Sequence, residues 1–235
     1  MTHKKADMVL ARTADEGVLE RAECGGAVTA LLQFALESGR VGAVLATRAR
    51  GGDRYDGIPV VITDPAELVD TAGALHAAPV NLARCLKEYL DGAAGRRIAV
   101  VCKPCDAKAI VELVKREQIE RDNVLLIGLN CTGTLSPTAA RAMFAQAFEI
   151  DPDDVVREDI DDGRLTVWLR DGAEVSRDLA ALEEEGYGRR ENCRRCETSI
   201  PTMADVACKG RVDRSSASRR DTFPAPPPSR GRGSA

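Results

Sequence analysis

Aromatic side chains are scarce in this 235-residue chain: Phe, Tyr and Trp together make up 3% of it. Without aromatic platforms there is little on which nucleobases could stack. A basic surplus is missing too. The 33 Lys and Arg are outnumbered by 37 Asp and Glu, for a net charge of −4, and neutralising a phosphate backbone needs clustered cations. Nucleic acid is therefore excluded as a partner. Nowhere do eighteen apolar residues run together, which excludes a membrane-spanning helix. The opening "MTHKKADMVLARTADEG" has no apolar core of the kind a secretion signal carries, so the expected location is the cytoplasm. The only histidines, His3 and His76, have no ligand-like spacing and read as ordinary residues. There is no internal repeat.

What the chain does have is 44% hydrophobic residues, enough to bury a sizeable core, and eight cysteines. In a reducing compartment cysteines in such number point to metal ligation or redox chemistry rather than to a disulfide framework.

Hydrophobic periodicity predicts a mixed α/β fold. Residues 24–39, "CGGAVTALLQFALESG", read as a helix entered through two glycines, with Val28, Leu31, Leu32, Ala35 and Leu36 on one face. "GAVLAT" and "IPVVIT" read as short strands. "DPAELV" then opens a helix, with Asp64 as N-cap, Pro65 at N1 and Glu67 closing a capping box. Residues 81–91 carry Leu82 and Leu86 at helical spacing. The clearest unit spans 97–131, where the β-branched runs "RIAVVC" and "NVLLIGLNC" flank an amphipathic helix, a parallel βαβ crossover. "DVVREDIDDGRLTVWLRDG" predicts a β-hairpin turning at Asp-Asp-Gly, and "DLAALEEEG" a short helix. The expected architecture is thus a partly parallel sheet with flanking helices, a hairpin, and cysteine-rich loops at one sheet edge. From residue 211 six Arg, five Ser and four Pro in 25 residues predict a disordered C-terminal tail.

Cys105 follows a strand and opens a helix, where backbone N–H groups and the helix dipole favour a thiolate. Cys131 follows the neighbouring parallel strand, so both thiols should face one crevice at the carboxyl edge of the sheet. Cys193 and Cys196 form a C-x2-C. Together the four supply a tetrathiolate set for zinc or for an iron–sulfur cluster. Cys208 can replace one of the four or serve a second site. Cys85 and Cys102 read as core. Cys24 precedes a glycine pair, Gly25-Gly26, that permits a tight helix entry or a cradle for a phosphate.

Four stretches, "ECGGAVTALLQFALESG", "KPCDAKAIVELVKR", "IGLNC" and "NCRRCETSIPTMAD", occur in the order and at the spacing of the coenzyme F420 hydrogenase/dehydrogenase β-subunit family, and the chain resembles its formate-dehydrogenase branch over residues 20–210. The resemblance implies an electron-transfer subunit working with FAD, a 4Fe-4S cluster and coenzyme F420 as co-substrate. It implies that Cys105, Cys131, Cys193 and Cys196 hold the cluster and that Gly25, Gly26, Ala27 and Thr29 line the FAD site. It further implies a large catalytic α subunit, of the molybdopterin or tungstopterin formate dehydrogenase type or of hydrogenase type, because this chain carries no sign of the chemistry formate itself needs. The domains expected on this basis are an N-terminal extension (1–19), an FAD-contacting unit (20–95), an iron–sulfur unit (96–210) and the tail (211–235). "TAGALHA" at 71–77 stands where the family shows Lys-Tyr after Ala-Gly. Family members continue beyond "MAD" with further globular chain, so the expectation is a C-terminally truncated protein whose tail has the composition of a frameshifted GC-rich reading. Two other readings of the same residues are a zinc-stapled, non-enzymatic assembly module and a truncated, inactive relative.

Overall fold

The computed structural model describes residues 9–209. His3 with the rest of residues 1–8, and the tail, lie outside the described residues. Among the described residues, two sheets organise the chain. The larger has five strands in the order β2-β1-β3-β4-β8: β1 (Ala43–Arg50), β2 (Asp53–Ile62), β3 (Ile98–Cys102), β4 (Val124–Leu129) and β8 (Val206–Cys208). Only β2 runs antiparallel to its neighbour; β1, β3, β4 and β8 are parallel. Both expected units, 20–95 and 96–210, contribute strands to this one sheet.

The crossover expected over 97–131 is present. Ile98 pairs with Val124 and Cys102 with Gly128, and α4 (Pro104–Lys115) connects the two strands. Alternate residues of each strand serve opposite faces. Leu45, Ile98, Val100, Cys102 and Leu126 pack with α3 (Leu82–Tyr89) and α4. Val44, Ala46, Ala99 and Ile127 pack on the other side with Leu32 and Ala35 of α2 (Ala27–Glu37) and with Leu68. Helix α2 follows a short α1 (Glu16–Arg21).

The capping-box segment turns out differently. Asp64 does cap Ala66 N–H and Pro65 does lead, but Pro65–Thr71 winds as a 3-10 helix. Its end bonds close over three residues, Glu67 N–H to Asp64 O at 3.1 Å and Ala72 N–H to Val69 O at 3.2 Å, the tighter 3-10 pattern.

The second sheet, β5 (Val155–Asp161), β6 (Arg164–Leu169) and β7 (Glu174–Asp178), is antiparallel, with the expected turn at Asp162–Gly163. Together with α5 (Pro137–Gln146) and α6 (Leu179–Glu184) it encloses a separate core around Phe144, Leu165 and Val167. A four-residue α7 (Glu191–Arg194) follows. No helix among the described residues is long and apolar enough to cross a membrane.

Candidate redox site at the carboxyl edge of the parallel sheet

Strand β3 delivers Cys102 into the core, where burial, reinforced by Asp106, pushes its thiol up to about 12. The chain then turns into α4 through a buried ionic cap. Asp106, fully buried, accepts from Lys103 N–H at 3.1 Å and from Leu82 N–H at 3.2 Å, and its carboxylate lies 2.7 Å from Lys103 Nζ. Lys103 Nζ also donates to the Val80 carbonyl at 2.9 Å. This cap sets the first turn of α4 and leaves Cys105 on its exposed side.

The thiolate expected at this helix start is not favoured by the surroundings. Crowding by neighbouring chain and the Asp106 carboxylate raise the Cys105 thiol above its ordinary range, outweighing Lys103 and two backbone N–H groups. A metal ion would displace that proton outright.

Five hydrogen bonds gather the other thiols. Cys131 N–H donates to Ser199 O at 2.9 Å, which ties the end of β4 to the loop that follows the C-x2-C. Lys108 Nζ reaches Thr198 Oγ1 at 2.7 Å and ties that loop to α4. Arg190 N–H donates to Thr134 O at 2.9 Å, and Thr134 Oγ1 lies 3.3 Å from Cys193 Sγ, which seats α7 against the chain beyond Cys131. Cys196 sits one turn from Cys193, its Sγ donating to Thr198 O at 3.4 Å. The Cys131 thiol is raised above its ordinary value, first by burial and less by the Cys105 and Cys193 thiols, against the pull of Gly133 N–H and Lys103. The loop fits because residue 128 is glycine: a Cβ there would meet Pro201 Cγ at 2.4 Å and Ala204 Cβ at 2.7 Å.

Among the described residues no three of these sulfurs lie within 4.8 Å of one another. Thiolates on one tetrahedral zinc, at about 2.3 Å from the ion, stand about 3.8 Å apart. The four sulfurs therefore do not close on a single ion as placed. Lys103, Lys108 and the arginines around the C-x2-C supply positive charge beside them.

Cys208 stands apart. It packs with Val44, Ala99 and Ile127 on the α2 face, and burial alone raises its thiol. Cys85 and Cys102 are core, as expected.

At the other candidate site, Gly25 and Gly26 both have left-handed backbone, φ 77° and 67°. A Cβ on Gly26 would lie 2.8 Å from Thr13 Cγ2 and Val18 Cγ1, and Thr13 N–H donates to Gly25 O at 2.8 Å. The pair is therefore needed for the chain's own N-terminal segment to cross the helix entry. No side chain caps α2, so the amides of its first turn, from Ala27 to the buried Thr29, suit a phosphate-bearing cofactor.

Spacing hid one group. His76 is no isolated surface histidine: its Nε2 lies 3.9 Å from Glu23 Oε2, its Nδ1 3.5 Å from Gly133 O, and its carbonyl accepts from Leu135 N–H at 2.8 Å. Burial alone would lower its imidazole, but Glu23, with Glu158 and Asp159, holds it above the ordinary value. Positions 23, 76, 133 and 159 are too far apart in sequence for any motif to announce them.

One ion pair governs the approach of α7. Burial raises Glu183, but hydrogen bonds and charge from Arg189, at 2.7 Å, more than offset it and hold the carboxyl below its ordinary value. A lowered carboxyl stabilises the fold above its unfolded pKa and stops doing so as pH falls through the folded one. Glu183→Gln is thus expected to remove part of the stability loss seen on acidification below about pH 4.5, read by urea unfolding between pH 6 and pH 3. An unchanged acid limb would contradict this.

The chain matches two family models of the coenzyme F420 hydrogenase/dehydrogenase β subunit, the one for its N-terminal part over residues 8–87 and the one for its C-terminal part over residues 95–222. It is 52% identical over 200 residues to F420-dependent formate dehydrogenase subunit beta of Methanocaldococcus jannaschii, covering 85% of this chain and 52% of that one. It is 48% identical to F420-dependent formate dehydrogenase 1 subunit beta of Methanococcus maripaludis, covering 86% and 51%. Identity to coenzyme F420 hydrogenase subunit beta of Methanococcus voltae is 27%, covering 85% and 70%. The chain thus spans about half the length of the formate dehydrogenase relatives it matches. A chain of the F420-reducing [NiFe] hydrogenase complex from Methanosarcina barkeri shares the fold, with TM-score 0.71 at 21% identity, covering 85% of this chain and 68% of that one.

Proposed function

This chain belongs to the coenzyme F420 hydrogenase/dehydrogenase β-subunit family, and from that premise we propose that it is the electron-transfer subunit of an F420-dependent dehydrogenase, with formate as the ultimate donor. Formate is favoured over hydrogen because identity is 52% and 48% to formate dehydrogenase β subunits against 27% to a hydrogenase β subunit. What supports the reading is the pair of hydrogen bonds that ties the C-x2-C loop to α4 and to the end of β4, the two elements that carry Cys105 and Cys131.

Cys105, Cys131, Cys193 and Cys196 would hold a 4Fe-4S cluster, and the α2 entry at Gly25, Gly26, Ala27 and Thr29 would hold FAD. Flavin and cluster together supply the conversion between hydride transfer to F420 and single-electron steps. The protein's own part is placement and charge. The Asp106–Lys103 cap fixes the turn that presents Cys105. The Lys108–Thr198 and Cys131–Ser199 hydrogen bonds hold the C-x2-C loop against α4 and β4. Cations at 103, 108, 189, 190, 194 and 195 compensate the negative charge that four thiolates bring. A separate large α subunit would act on formate.

The test is anaerobic purification followed by metal and flavin analysis, then F420 reduction with the α subunit and formate supplied. Expected are a brown protein with about four irons per chain, bound FAD and F420 reduction. Colourless protein holding zinc alone would sink the redox reading in favour of a stapled assembly module. Iron without FAD or F420 turnover would identify an inactive relative.

A further inference from the structure

One imidazole sits where several segments of chain meet. The His76 N–H donates to Glu158 Oε1 on β5 at 3.0 Å, and its carbonyl accepts from Leu135 N–H, in the chain beyond Cys131, at 2.8 Å. Arg54 on β2 fixes the same loop, its Nη2 donating to Ala74 O at 2.8 Å. With the backbone held, each ring nitrogen faces an acceptor: Nδ1 lies 3.5 Å from the Gly133 carbonyl and Nε2 lies 3.9 Å from Glu23 Oε2. A neutral imidazole has one N–H and would turn a lone pair toward one of these two oxygens. Only the imidazolium presents a proton to both. The charges around it agree. The carboxylates of Glu23, Glu158 and Asp159 gather here with the guanidiniums of Arg54, paired with Glu158, and Arg157, which donates to the Glu23 carbonyl at 3.5 Å. A charged His76 makes the cations equal in number to the anions. Burial opposes that charge, but Glu23, then Glu158 and Asp159, outweigh it and hold the imidazole above its ordinary value.

We propose that His76 is a positioning residue whose imidazolium latches the entry of α2, through Glu23, to the chain beyond Cys131, through Gly133. Glu23 stands just before the Gly25-Gly26 turn and Gly133 just after Cys131, so the latch spans the two candidate cofactor sites. That consequence rests on the proposed function; the latch itself does not. An imidazole held above its ordinary value stabilises these contacts fully below its unfolded pKa of about 6.5, and the stabilisation is lost as pH rises through the folded one. The latch therefore opens toward alkaline pH.

Nuclear magnetic resonance of the full-length protein with nitrogen-15 in its histidines reads the ring directly, since His3 is the only other histidine. Expected is a His76 ring protonated on both nitrogens at about pH 6.5 and titrating above His3, with Glu23→Gln weakening its hold on the proton about tenfold. Amide hydrogen exchange, corrected for its intrinsic pH dependence, should quicken about threefold or more at residues 25–29 and 133–135 together through that titration. In His76→Gln both segments should exchange fast with no step in pH. A neutral ring at about pH 6.5, a titration no higher than that of His3, or quickening in one segment alone would overturn the proposal. The pH step is read on the unaltered protein, so a variant that fails to fold does not blunt the test, and a His76 that only fills space would show no step. Neither readout needs a cofactor, so failure to bind FAD would count against the proposed function and not against the latch.

Discussion

Cys193→Ser is expected to abolish the broad absorption near about 400 nm of anaerobically prepared protein and, with it, F420 reduction. Serine preserves the volume and the hydrogen bond to Thr134 Oγ1, 3.3 Å away, but offers a far weaker donor to iron. Loss of chromophore in a protein that still unfolds cooperatively therefore reports ligation and not collapse. Cys85→Ser and Cys208→Ser provide the contrast. Cys85 lies in the core beside α4, and Cys208 on the α2 face of the sheet, so both variants should keep the colour. Iron content of the Cys193→Ser protein equal to that of the unaltered chain would remove Cys193 from the ligand set. Loss of colour in Cys208→Ser would put Cys208 in it.

Arg54→Ala is expected to cost about 3–5 kcal/mol, because it strands a buried charge. Glu158 is 1% exposed and accepts from Arg54 Nε at 2.9 Å and Nη2 at 2.6 Å. It also accepts from His76 N–H at 3.0 Å. Strand β2 carries the arginine and β5 the glutamate, so the pair ties the five-stranded sheet to the antiparallel one and fixes the His76 backbone as well. For a protein of this size the melting temperature should fall by roughly 6–20 °C. Replacing both partners at once, Arg54→Met with Glu158→Leu, should recover part of that loss, since no charge is then left unpaired although the His76 N–H loses its acceptor. A fall below about 1 kcal/mol in the single variant would show that water reaches Glu158.

The βαβ unit was readable because two independent signals agree over 97–131: uninterrupted β-branched runs for strands buried on both faces, and a 3.6-residue period between them. The third strand of the antiparallel sheet, β7, was not readable. "EVSRD" is half-exposed along its length, so it offers no alternation to see, and its place comes from pairing with β6 at Val167–Val175. Helix α5 starts at Pro137 and buries Met143 and Phe144, yet its apolar face only has meaning once the second sheet exists to receive it. The Pro65 segment shows the limit of capping signals, which mark where a helix starts but not which helix follows.

By itself the sequence determined that two of the cysteines stand at one edge of a parallel sheet, because strands of common direction present their carboxyl ends together. It also determined that Cys193 and Cys196 lie one turn apart. Only the tertiary structure decided how the C-x2-C reaches that edge, through hydrogen bonds from Cys131 and Lys108 across 68 and 90 positions of chain. It alone placed Cys208 on the opposite face, and reversed the expected ease of ionising Cys105 by setting Asp106 and packed chain around it. The same holds for Glu23, His76 and Asp159. Local pattern encodes which way a residue faces; which distant residues share a buried space depends on how the two sheets close on each other, and that is where burial and charge are set.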